Sequence, residues 1–147
     1  MALNHADKLM QAGCDLGVSD WLPINQIMNQ AFADVTLDPV PMQIEGQVFA
    51  HGFLTMSLLA HLMADAMKAG SSGNIMKQGY ALNYGFNRLR LIEPVPLGSR
   101  IRGHFRTSDR GIVQRDAITI IAVDVRIEIE HNERPAMIAE WLMAWKK

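Results

Sequence analysis

The spacing of hydrophobic and polar positions changes once along this chain, from a helical period to an alternating one. From Val48 to Gly70, VFAHGFLTMSLLAHLMADAMKAG, apolar residues recur at helical spacing, and between Phe53 and Leu59 only Thr55 and Ser57 interrupt them. A helix that is apolar on nearly every face belongs inside a protein, so the pattern predicts one core helix. From Ala60 onward the apolar set narrows to Leu62, Met63 and Met67, while His61, Asp65 and Lys68 fall on another face. Gly70-Ser71-Ser72-Gly73 reads as its stop, and His51-Gly52 at its start leaves backbone N–H groups open to a polarised carbonyl.

Beyond that helix the period is two. Gly79 to Leu91, Ser99 to Thr107, Ala117 to Glu130 and Ala136 to Trp145 read as antiparallel strands, with Gly85 a bulge. In the second, Arg100, Arg102, His104 and Arg106 alternate with Ile101, Gly103 and Phe105; in the third, Val123, Val125, Ile127 and Ile129 turn inward. Asp109-Arg110-Gly111 is a hairpin signal. Upstream, Ala6 to Gly13 suggests a short helix and Val18 to Pro23 an extended entry. Asn25 caps a helix whose apolar positions Ile27, Met28, Ala31 and Phe32 recur at helical spacing, ending near Asp34. Thr36 to Gln47 contains Pro39 and Pro41 and reads as a loop laid against the start of the core helix. One long helix followed by four long strands predicts an α+β fold, a curved antiparallel sheet wrapped round the helix, as a single domain over residues 1–147.

Composition removes several function classes. A net charge of −1 argues against bulk electrostatic binding of nucleic acid. The single cysteine, Cys14, excludes an intrachain disulfide and suits a reducing compartment. No apolar run reaches the roughly 20 residues of a membrane span, and the first residues lack a secretory pattern. A cytoplasmic protein without nucleic-acid or membrane partners is the expectation.

AHGFLTMSLL followed by LNYGFNRLRLIEPVPLGSRIRG resembles the MaoC-type dehydratases and (R)-specific enoyl-CoA hydratases, especially their NodN-like branch. The resemblance extends from about Trp21 to Trp145. It implies the hot-dog fold and a homodimer that binds an acyl thioester of coenzyme A, or of a carrier protein, between helix and sheet, with neither cofactor nor metal. In the family a loop G-D-x-N-P-[LI]-H supplies acid and base. Aligned without gaps, Asp38 falls on the aspartate, Pro41 on the proline, Met42 on the apolar residue, and Gln43 where histidine should be. A gapped alignment, matching Leu37-Asp38-Pro39 to a later L-D-P, would remove the motif.

The implied catalytic set is Asp38, Gln43 and the Gly52 N–H, the last facing an enolate-like oxygen. The implied substrate-binding set is His51, Phe53, Asn83, Tyr84 and Arg88. Glutamine does not titrate, so an enoyl-CoA hydratase or dehydratase with an impaired rate is the leading expectation. A hot-dog thioesterase with Asp38 activating water, or a non-catalytic acyl-CoA-binding protein, remains open. Next to a buried helix start, His51 reads as a hydrogen-bonded structural residue rather than an acid or base. Arg100, Arg102 and Arg106, joined by Arg88 and Arg90, form either a solvated face or a contact for phosphates of coenzyme A.

Overall fold

The computed structural model describes residues 5–39, 42–68 and 80–146. In chain order its elements are α1 (His5–Leu9), β1 (Asp15–Val18), β2 (Leu22–Pro23), α2 (Gln26–Thr36), β3 (Met42–Ile44), β4 (Gln47–Phe49), α3 (Gly52–Ser57), α4 (Leu59–Ala66), β5 (Tyr80–Leu91), β6 (Arg100–Arg115), β7 (Ile118–Ile129) and β8 (Met137–Lys146). The main sheet runs β1-β6-β7-β8-β5 with β2 also paired to β6, and its ladders are antiparallel. This is the hot-dog fold, α+β in class. No helix among the described residues is long and apolar enough to cross a membrane.

Alternation along the strands decides which face meets the helix. Ile101 and Phe105 of β6, Val123, Val125 and Ile127 of β7, and Met137, Trp141 and Trp145 of β8 are buried in one core with Leu59, Leu62 and Ala66 of α4. Between them Arg102, Asp124 and Glu128 point the other way and are only half-buried. Helix and sheet approach closely at Gly17, whose φ is +105° and where a Cβ would lie 2.5 Å from the Ala66 carbonyl oxygen. Only glycine lets β1 pass the end of α4 in this conformation.

Three expectations need correction. The stretch Thr36 to Gln47, expected as loop, is partly strand, since Met42–Ile44 pairs with Gln47–Phe49 and sets Gln43 opposite Val48; the core helix begins at Gly52, as expected. It is also interrupted at Leu58, whose N–H reaches the carbonyls of both Leu54 and Thr55. Ser57 explains part of the break: its Oγ donates to the Phe53 carbonyl at 2.8 Å, a back-bond that bends helices. Apolar residues on every face do not mean burial on every face, since the sheet covers one side and leaves Phe53 61% exposed. Third, Asp109-Arg110-Gly111 is not a hairpin. β6 runs through it as a bulge between Thr107 and Ile112, because β7 keeps pairing on both sides; the chain reverses at Asp116-Ala117.

The Gly85 bulge is present, as a register shift between Asn83 and Gly85. α2 continues to Thr36, two residues past Asp34. The Gly70-Ser71-Ser72-Gly73 stop, Gly79 and Pro41 lie outside the described residues.

Leu62 is 1% exposed. Leu62→Ala is expected to cost about 2–5 kcal/mol in denaturant unfolding, and Ile27→Ala, at 80% exposed, under about 0.5 kcal/mol. Equal costs would contradict the placement of the core.

Candidate functional site

The site is built outward from α2. Asn25 Oδ1 accepts the Met28 N–H at 2.9 Å and starts the helix. At the other end Leu37 turns left-handed, φ 57°, and the Asp38 N–H returns to the Ala33 carbonyl at 3.1 Å. Asp38 therefore leaves α2 on a backbone turn that fixes where its side chain starts. Midway along the helix Asn29, 3% exposed, accepts the His51 N–H on Oδ1 at 2.9 Å. The His51 ring lies against Phe32, centroids 5.6 Å apart and planes tilted by 46°. Its Nδ1 stands 3.5 Å from Asp38 Oδ2, with side chains 10% and 61% exposed respectively. One short helix thus holds both members of an Asp/His pair.

His51 is also the residue at which α3 begins. Its neighbours Ala50 and Gly52 line a cavity of about 300 Å³ together with Met42, Thr55, Leu91, Pro94 and Val95, while its own ring turns to Phe32 and Asp38. The lining is mostly apolar. Its polar side chains are Thr55 and Glu93, and Arg134 Nε holds the latter at 3.0 Å. A Cβ at Gly52 would come 2.5 Å from Leu91 Cδ1, so glycine keeps the wall open where the first-turn N–H groups of α3 lie.

Asp38, His51 and Gly52 are brought together, with Phe53 next on α3 and exposed. The other sequence-derived positions are distributed around the fold. Gln43 is exposed on β3 opposite Val48, and it is its neighbour Met42 that reaches the cavity. Asn83 and Tyr84 line a second hollow of about 470 Å³ between β5 and the helices, with Met56, Ser57 and Trp141. Arg88 opens on a third cleft beside Arg90 and Asp124. Asn29 was not singled out from the sequence. Its signal is a polar residue four positions after Asn25 and four before Ala33, on the buried side of α2.

The basic face is not a free cationic patch. Arg100 pairs with Glu130, Arg102 with Glu128 at 2.7 Å, and Arg106 with Asp109 at 2.9 Å. Arg102 also lies 4.4 Å over the Trp21 ring. The Arg102 hydrogen bond, helped by His104 and opposed by burial, holds the Glu128 carboxyl below the usual carboxylate range. A carboxyl depressed in the folded state stabilises at neutral pH, and that stabilisation is lost as pH falls through its folded value.

Two outcomes are expected. Part of the destabilisation by Arg102→Gln should be present at neutral pH and vanish in acid; a pH-independent cost would contradict the pairing. Asn29→Ala should cost about 1–3 kcal/mol, because it leaves the His51 N–H without its acceptor; an unchanged unfolding midpoint would count against that bond.

Known proteins resemble this chain in sequence and in fold. A family profile described as MaoC like domain matches residues 9–131. Nodulation protein N of Rhizobium meliloti (strain 1021) is 36% identical over 150 residues, covering 95% of this chain and 89% of that protein. The 3-hydroxyacyl-thioester dehydratase Z of Mycobacterium tuberculosis (strain ATCC 25618 / H37Rv) is 32% identical over 150 residues, covering 95% of this chain and 94% of that protein. Among solved structures, the MaoC-like dehydratase from Rhodospirillum rubrum aligns with a TM-score of 0.71 at 16% identity, over 99% of this chain and 98% of that one. At that identity the structural likeness speaks for the fold.

Proposed function

The chain belongs to the MaoC-like dehydratase family, and from that premise we propose that it is an (R)-specific hydratase or dehydratase acting on enoyl thioesters of coenzyme A or a carrier protein. The observation that carries the reading is the Asp38–His51 pair at the start of α3, with Gly52 beside it in the wall of an apolar cavity. Hydration of the C2–C3 double bond needs a group to take a proton from water and a group to deliver one to C2. Asp38 is the base. The developing charge on the thioester oxygen goes to the Gly52 N–H, a backbone donor at a helix start. Gln43 stands where the family loop carries histidine, and its carboxamide cannot take and return a proton, so the rate is lower than a complete loop would give.

The protein works as a single domain in the cytoplasm, without a cofactor, as a homodimer. β5 is an edge strand, and Leu82, Tyr84 and Phe86 on it are exposed, as is Phe53 of α3. A second copy covers that flank and pairs the edge. His51, Phe53, Asn83, Tyr84 and Arg88 contribute to thioester binding, with Arg88 and Arg90, rather than the paired Arg100, Arg102 and Arg106, facing coenzyme A phosphates.

Loss of enoyl-thioester absorbance with a short enoyl-CoA tests the chemistry. Wild type should hydrate it, and Asp38→Asn should lower the rate by at least about 100-fold. Release of free coenzyme A from saturated acyl-CoAs, abolished by Asp38→Asn, would instead make the protein a thioesterase. No response in either assay, with the fold intact, would leave a binding protein. Sedimentation should give a dimer at micromolar concentration, and a stable monomer would contradict the assembly.

A further inference from the structure

Gln43 leaves the family's two-group chemistry one member short, yet the structure supplies Asp38 with a different neighbour. We infer that Asp38 alone serves as both base and acid, and that His51, anchored by Asn29, is the positioning residue that aims its carboxylate. This inference rests on the hydratase reading. Its ground is the contrast between the two side chains: Asp38 is 61% exposed at a helix end, whereas His51 is 10% exposed. An exposed carboxylate is free to rotate unless something holds it. His51 is fixed at three points, by the Asn29 acceptor on its N–H, by Phe32 against its ring, and by its place at the first turn of α3. Its Nδ1 lies 3.5 Å from Oδ2, at a position that does not depend on the loop beyond Asp38, and with its proton on Nδ1 the ring donates to the carboxylate. Contacts of this kind are often long before substrate binds and shorten in the complex.

The step balances with one carboxylate. Asp38 takes a proton from water, and the hydroxide oxygen forms its bond to C3. The C2–C3 π pair moves toward the thioester carbonyl, giving the enolate. The proton held on Asp38 is then delivered to C2, the carbonyl re-forms, and Asp38 is a carboxylate again. Both new bonds lie on the face of the double bond that Asp38 addresses, so the addition is syn. His51 neither gains nor loses a proton overall, which separates its role from that of the missing loop histidine.

The test uses full-length protein with a short enoyl-CoA. His51→Phe removes the donor and is expected to lower kcat by about 10- to 100-fold with KM within about threefold, at an unchanged melting temperature. His51→Asn places an amide N–H near the former Nδ1 and should recover a substantial part of that loss, although an amide cannot relay a proton. Equal kcat for wild type and His51→Phe would overturn the positioning role. His51→Asn as inactive as His51→Phe would overturn it in favour of a proton-transferring histidine. A wild type that hydrates no enoyl thioester sinks the hydratase reading together with this inference, whereas active wild type with indifferent His51 variants sinks the inference alone.

Discussion

Burial of α4 against one face of the sheet is the constraint on which the other parts depend. Leu59, Leu62 and Ala66 pack on strands whose alternate residues are apolar, and Gly17 lets β1 come within contact of the Ala66 carbonyl. A residue with a side chain there would push the helix from the sheet. With α4 fixed, the preceding turn at Leu58 and the six residues of α3 have a set direction, and Gly52 comes to lie against Leu91 of β5. The Gly52 and Leu91 side of the cavity wall is thus set by core packing, while Ala50, Ile92 to Val95 and Ala136 complete it from connecting segments. Sites placed on such rigid elements hold their geometry better than sites on loops.

α2 contributes the second level of organisation. It is amphipathic but thinly buried, with Ile27 and Val35 largely exposed. What ties it to the rest is polar: Asn29 reaches a residue 22 positions away, and the hydrogen bond is buried enough that its loss is costly. Because the same helix also delivers Asp38 from its carboxyl end, the distance between Asp38 and His51 is set by one element. The segment between Asp38 and Gly52 contains a short hairpin, Met42–Ile44 with Gln47–Phe49.

Much of the fold was legible because period-two alternation and burial coincide, as in β7, where Val123, Val125 and Ile127 are buried and Asp124, Arg126 and Glu128 are not. The features that were not legible are those decided by partners distant in sequence. Asp109-Arg110-Gly111 has the composition of a turn, but the β7 ladder on both sides outweighs local preference. The arginines of β6 read as a cationic face until the register sets Arg102 opposite Glu128. Asn29 carries no motif, and its role exists only once α2 and α3 meet. At the site, Asp38, His51 and Gly52 were recognisable from their motif and do converge. Gln43, Asn83 and Arg88, drawn from the same resemblance, occupy other surfaces of the chain.

The proposed chemistry turns on where the reacting double bond sits. A crystal structure with an unreactive enoyl-thioester analogue of coenzyme A tests this most directly. The expected result is the C2–C3 bond beside the Asp38 carboxylate, with the thioester oxygen on the Gly52 N–H and His51 Nδ1 in hydrogen-bond contact with Asp38. Acyl density running instead through the hollow of Asn83, Tyr84 and Trp141, with Asp38 turned to solvent, would contradict it.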